Sequence, residues 1–129
     1  MKIGFIGLGN MATAMIGGML RNHIVMAEEM IGSDKTAENA NKAAEAFQMS
    51  VGCDNRKTAE EADVLFLCVK PIFLPDVMEE IKSVIRENTV IVSIVAGQSL
   101  EKLAEGLGPS KKIIRCMPNT PALVGEGCT

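Results

Sequence analysis

Residues 2–12 read Lys2-Ile3-Gly4-Phe5-Ile6-Gly7-Leu8-Gly9-Asn10-Met11-Ala12. Ile3, Gly4, Phe5 and Ile6 are apolar or glycine, and the run is short enough for one buried strand. Gly7 and Gly9 interrupt it. From Met11 onward the apolar spacing becomes helical, with Met11, Met15 and Met19 on one row and Ala12, Ile16 and Leu20 on the next. The stretch therefore predicts a strand, a glycine turn and a helix over residues 10–21.

Gly7-x-Gly9-x-x-Ala12 is the alanine form of the dinucleotide-binding fingerprint. Gly7 permits the tight turn, Gly9 lets backbone approach a pyrophosphate, and Ala12 lets the helix sit close on the strand. The free N–H groups of the first helical turn and its positive dipole end then face the phosphates. The competing reading is an ordinary glycine-rich strand–helix turn. The position of the motif, on a strand and before a helix, favours the phosphate site.

Composition narrows the field. A chain of 129 residues suggests one domain with a real core. Its hydrophobic fraction is 47% with only 3% aromatics, so that core is aliphatic. Without Trp or Tyr there are few stacking platforms for nucleic acid, and a net charge of −3 with no basic run points away from nucleic acid and anionic membranes. No apolar stretch is long enough to span a bilayer. The opening apolar run is broken by Gly4, Gly7 and Gly9, so no signal peptide is expected. Cys53, Cys68, Cys116 and Cys128 form no C-x-x-C pair and read as reduced, mostly buried thiols of a cytoplasmic protein. Those spacings, with His23 as the one histidine, predict no metal site; His23 itself reads as solvated or capping at a helix end.

The rest of the chain alternates strands with helices. Strands are expected at 30–32, 50–53, 63–69, 89–95 and 112–116. The second helix starts near Thr36 with Ala37, Ala40, Ala44 and Phe47 on one face. A short helix follows Cys53, with Asn55 or Thr58 as its cap and Thr58 and Glu61 at capping-box spacing. A fourth helix carries Leu74, Val77, Met78, Ile81, Val84 and Ile85, with Pro71 and Pro75 at its start. Ser99 is the expected N-cap of the fifth, with Leu100, Leu103 and Leu107 inward and Gly106, Gly108 and Pro109 ending it. Gly17 and Gly18 are poor helix residues, expected to be compensated by close packing on the sheet. The pattern is α/β: a doubly wound, mostly parallel six-stranded sheet, Rossmann-like.

In such a fold the ligand lies outside the carboxyl ends of the strands. At the second end, an acidic tip would hold a ribose 2′-hydroxyl and repel a 2′-phosphate. Ser33 occupies the expected tip, followed by Asp34 and Lys35; Asp34 lies 25 residues after Gly9, beyond the usual spacing of about 20. With Asp34 turned outward, Ser33 and Lys35 donate to a 2′-phosphate, which favours NADP. A strand one residue longer makes Asp34 favour NAD, and a plain turn into the helix is the third option. Lys70 in Val69-Lys70-Pro71 can reach a phosphate or ribose, or is simply solvated. Small residues in Ser93-Ile94-Val95-Ala96-Gly97 allow a flat nicotinamide ring against backbone. The rigid loop Pro118-Asn119-Thr120-Pro121 can orient a carboxamide or substrate, or is only a turn.

Together these segments resemble pyrroline-5-carboxylate reductase. The most discriminating part is Arg115-Cys116-Met117-Pro118-Asn119-Thr120-Pro121 with Val124-Gly125-Glu126-Gly127. The resemblance implies reduction of 1-pyrroline-5-carboxylate to L-proline by hydride from NADPH, or alternatively NADH. It implies that Ile6, Gly7, Leu8, Gly9, Asn10 and Met11 surround the pyrophosphate. Ser33 and Lys35 would face the adenosine 2′ position and Asn55 the adenine ribose. Val69, Lys70, Pro71, Val95, Ala96 and Gly97 would line the nicotinamide half, with Met117, Asn119 and Thr120 closing the pocket. It further implies that residues 1–129 are the NAD(P)-binding domain. The family's helical C-terminal domain, through which its members form homo-oligomers and build much of the substrate pocket, is absent from this chain. No residue here has an acid–base role that would name a catalytic group. The alternatives are a hydroxyacid dehydrogenase of the 3-hydroxyisobutyrate or 6-phosphogluconate type, whose opening is similar, and a non-catalytic nucleotide-sensing module.

Overall fold

The computed structural model describes residues 1–95, 97, 99–108 and 111–116. Six strands, β1 (Ile3–Ile6), β2 (Met30–Ser33), β3 (Ser50–Gly52), β4 (Val64–Leu67), β5 (Val90–Ser93) and β6 (Lys112–Arg115), alternate with five helices. These are α1 (Asn10–Arg21), α2 (Ala37–Phe47), α3 (Asn55–Glu61), α4 (Leu74–Ile81) and α5 (Leu100–Leu107). Every pairing is parallel, in the order β3-β2-β1-β4-β5-β6. The chain thus winds outward one way from β1 and then the other, and β1 and β4 flank the point of reversal.

The register aligns the tips. Ile6 pairs with both Ser33 and Leu67, Ser33 with Gly52, Leu67 with Ser93, and Ser93 with Arg115. The six carboxyl ends therefore form one row, and the loops leaving them share one edge.

Two cores cover the two faces of the sheet, because successive strand side chains point to opposite sides. Ile3 and Phe5 face α1 and α2, where Phe5 stacks on Phe66 with ring centroids 4.7 Å apart. Ile6, Leu65, Leu67 and Ile91 face the other way, against Leu74, Ile81 and Leu103 of α4 and α5. Burial of one such side chain contributes about 1.5–3 kcal/mol. On that second face a Cβ at Gly4 would come within 2.9 Å of Ala62 Cβ, so α3 can lie this close to β1 only over a glycine.

Several local expectations change. Asp54, rather than Asn55 or Thr58, caps α3: its Oδ1 accepts from the Arg56 N–H at 3.0 Å and the Lys57 N–H at 3.4 Å. Asp54 is the last residue with extended backbone, and a cap must stand there. Thr58 is buried inside α3 instead of starting it. The inward row of α2 is Ala40 and Ala43, while Ala37 is exposed. α4 ends at Ile81, and Val84 and Ile85 bond back to the Ile81 carbonyl in a turn. Ser99 caps α5 as expected, its Oγ accepting from the Lys102 N–H, but Leu100 is 52% exposed. It lies on the same stripe as Leu103 and Leu107, but in the first turn, where it lines an open hollow with Ile113, Ile114 and Arg115. A Cβ at Gly17 would meet Phe47 of α2 at 3.6 Å rather than the sheet, and one at Gly18 meets open space. Cys53 is exposed and Cys68 and Cys116 are half-buried, so the cysteines are less buried than expected. His23 is exposed, as its place at a helix end suggested. Pro109, Pro118, Pro121 and Cys128 lie outside the described residues.

Candidate functional site

The site begins at the β1 tip. Gly7 has φ +95°, a conformation that L side chains rarely adopt, and a Cβ there would lie 2.6 Å from the Cys68 carbonyl oxygen. Its N–H donates to the Ser33 carbonyl at 2.8 Å. Gly7 is thus wedged between the ends of β2 and β4. Gly9 differs: a Cβ there would meet no atom within 4 Å. It is the N-cap of α1, and neither a side-chain cap nor an acidic first-turn residue occupies that end. The first-turn N–H groups of α1 are left to face whatever fills that space.

The next segment holds a carboxylate against this bend. Asp34 Oδ2 accepts from the Leu8 N–H at 2.7 Å, and Oδ1 accepts from the Thr36 N–H and hydroxyl, both at 2.9 Å. Asn39 Nδ2 donates to Oδ2 at 3.4 Å. Burial pushes the Asp34 carboxyl up, but these donors outweigh it and its pKa lies below the ordinary carboxylate value. Of the options left open for Asp34 the outward turn is not taken: the side chain turns inward, since the bend offers it a backbone donor. Ser33 has 0% exposure and donates its hydroxyl to Asn55 Oδ1 at 2.8 Å. It meets the site through Asn55, not with its own hydroxyl. Asn55 Nδ2 in turn donates to Glu80 Oε1 at 3.2 Å, linking β2, α3 and α4.

A cleft of about 500 Å³ opens beside the bend, at the carboxyl ends of β1 and β4. Ile6, Gly7 and Gly9 form one wall; Asp34, Lys35, Thr36 and Asn39 come from the β2–α2 segment. Cys68, Val69 and Lys70 form the opposite wall, and Asn55, Phe73, Asp76, Val77 and Glu80 complete it. Lys35 reaches across it, its Nζ 3.4 Å from the centroid of the Phe73 ring. Burial pushes the Cys68 thiol up to about 12, so it stays protonated at neutral pH and is no nucleophile. Among the described residues no cluster of His, Cys, Asp or Glu could hold a metal ion. Nor is any of their helices long and apolar enough to cross a membrane.

Of the residues singled out in the sequence, Ile6, Gly7, Gly9, Lys35, Asn55, Val69 and Lys70 share this cleft. Leu8 is 2% exposed and packs over Gly32. Asn10 lines a smaller hollow beside α2, Met11 is half-buried, and Pro71 starts an exposed 3-10 turn. Val95 is buried in the core and Gly97 is exposed with φ +73°. The side chain of Val95 therefore serves packing. Ala96, Met117, Asn119 and Thr120 lie outside the described residues. The sequence reading missed Thr36, Asn39, Phe73, Asp76 and Glu80. Asp76 and Glu80 carried a signal, since their i, i+4 spacing puts both on the polar face of α4.

Residues 2–97 match the family model described as NADP oxidoreductase coenzyme F420-dependent. The chain belongs to this family. Beyond the NADP oxidoreductase match, it is 38% identical to the pyrroline-5-carboxylate reductase of Escherichia coli (strain K12), over 99% of this chain and 48% of that protein. The chain spans about half the length of the curated relatives it matches. A pyrroline-5-carboxylate reductase structure from Coxiella burnetii superimposes with a TM-score of 0.92 at 30% identity, covering 98% of this chain and 47% of that one. The Plasmodium falciparum pyrroline carboxylate reductase, solved with NADP bound, gives 0.84 at 32% identity, covering 98% and 45%. A 3-hydroxyisobutyrate dehydrogenase from Mycobacterium tuberculosis, at 21% identity and 0.71, shares the fold alone.

Proposed function

We propose that this chain is the dinucleotide-binding part of a pyrroline-5-carboxylate reductase, which reduces 1-pyrroline-5-carboxylate to L-proline with NADPH. One observation carries the reading: the bend at Gly7 and Gly9 is bare where a Cβ on Gly9 would stand, and it opens onto a cleft at the strand ends. Similarity to such reductases along the whole chain supports it. The residues suit the cofactor. Open space over Gly9 and the uncapped α1 N-terminus suit a pyrophosphate, worth about 0.3–1 kcal/mol per helix end and more when partly buried. Lys35 suits a 2′-phosphate, and Asn55 a ribose.

Bound NADPH supplies the hydride for the imine carbon. The chain's part is to bind and orient: Gly9 and the first turn of α1 hold the phosphates, Asn55 positions the adenosine, and Val69, Lys70 and Gly97 flank the nicotinamide end. Val95, Ala96, Met117, Asn119 and Thr120 belong to the same proposal. The rest of the protein supplies the substrate pocket and a homo-oligomer interface, in the cytoplasm. An NADPH oxidation assay on the intact protein with pyrroline-5-carboxylate tests the reading, and absence of substrate-dependent NADPH loss refutes it.

A further inference from the structure

The cleft contains an aromatic face with no part in the roles above. The chain has four phenylalanines and neither Tyr nor Trp. Phe5 and Phe66 stack on each other inside the sheet, and Phe47 packs against the core under α1. Phe73 instead lines the cleft. It ends the 3-10 turn Pro71–Phe73, where its N–H donates to the Lys70 carbonyl at 3.0 Å. Leu74, the next residue, is fully buried and anchors the turn to the core. The turn that carries the ring is thus fixed by proline on one side and by packing on the other.

Lys35 covers this ring from the opposite wall, at 3.4 Å. Three carboxylates, Asp34, Asp76 and Glu80, line the same cleft. Yet none of the ion pairs among the described residues involves Lys35. The ammonium rests on a π face, a weak partner for a cation beside an anion of two charges. A purine has the flat apolar face that stacks on such a ring. Asn55, which lines the same cleft, offers the polar group that a ribose needs, and Lys35 the cation that a phosphate needs.

We infer that Phe73 is the purine platform of this cleft and that Lys35 is its removable cover, leaving the ring for the 2′-phosphate as the adenine stacks. The inference rests on the dinucleotide reading above and adds a residue that sets affinity for the adenosine half.

Calorimetric titration of the protein and its Phe73→Leu, Phe73→Tyr and Lys35→Met variants with 2′,5′-ADP, 5′-AMP and nicotinamide mononucleotide tests it. Loss of the platform should weaken both adenine nucleotides about tenfold in Phe73→Leu, leave the mononucleotide unchanged, and be restored in Phe73→Tyr. Lys35→Met should weaken 2′,5′-ADP about tenfold and not 5′-AMP. In the wild type the adenine H2 and H8 proton resonances should move upfield on binding, under the ring current of Phe73. Absence of that shift, or unchanged adenine-nucleotide binding in Phe73→Leu, overturns the platform while the cofactor reading stands. A wild-type protein that binds neither adenine nucleotide nor NADPH overturns both. If Phe73→Leu fails to fold, the wild-type proton shift and the Lys35→Met selectivity decide.

Discussion

The Leu8 N–H donates to Asp34 Oδ2 across 2.7 Å, tying the glycine bend after β1 to the segment after β2. This bond, with those from Thr36 and Asn39, turns a charged residue inward at the mouth of the cleft. The bend is held by its neighbours as well as by its own glycines.

That bond sets an acid response. The folded-state pKa of Asp34 is depressed: burial raises it, and the Thr36, Leu8 and Asn39 donors more than reverse this. Its ionised form therefore adds stability that is complete above the unfolded value, about 3.9, and is lost as pH falls through the lower folded value. Between about pH 5 and pH 3 the urea midpoint of the wild type should fall further than that of Asp34→Asn. Asp63, held low by the Lys2 N–H and by Arg86, adds the same background to both proteins. Equal acid losses in the two proteins would remove Asp34 from the response.

The two glycines of the bend should separate folding from binding. Gly7→Ala places a methyl against the Cys68 carbonyl in a backbone region hostile to side chains. It should cost about 1–3 kcal/mol or more, read as a lower melting temperature. Gly9→Ala meets no atom, so its melting temperature should stay close to wild type. Its methyl would stand where the phosphates belong, and NADPH affinity should fall at least tenfold. Unchanged NADPH affinity in Gly9→Ala would place the phosphates elsewhere.

At the other end of the sheet, Arg86 closes α3. Its guanidinium donates to the carbonyls of Glu60 at 3.0 Å, Glu61 at 3.2 Å and Ala62 at 2.8 Å, and pairs with Asp63. Loss of those carbonyl bonds in Arg86→Ala should cost about 1–2 kcal/mol, with Arg86→Lys recovering only part because it lacks the planar fork. NADPH affinity should not change, since this cluster lies at the opposite strand ends from the cleft. Chemical denaturation and a cofactor titration on the same samples check both statements.

Ser33→Ala probes the link behind Asn55. Ser33 is fully buried and its hydroxyl orients the Asn55 amide. The variant should bind NADPH about three- to tenfold more weakly, as expected for a neutral hydrogen bond worth about 0.5–1.5 kcal/mol. NADH should weaken equally, because the effect acts on the ribose and not on the 2′-phosphate. A loss confined to NADPH would instead place the Ser33 hydroxyl at the phosphate itself.

Local pattern made the sheet, the bend and the order of elements legible. Ile3 to Ile6 and Val64 to Leu67 are uninterrupted apolar runs, and a strand buried on both faces needs such a run. Gly7 and Gly9 were readable because a backbone turn and a bare phosphate approach each exclude a side chain. The alternation of strands and helices then left the doubly wound parallel arrangement as the expected packing. Which groups meet across the cleft was decided only in three dimensions. Asp34 turns inward because a backbone N–H from residue 8 waits there, and Ser33 disappears beneath Asn55. Lys35 finds Phe73 from 38 positions away. Sequence spacing carries the period of one element, whereas these contacts depend on how two elements approach, and that is set by the packing of the whole sheet.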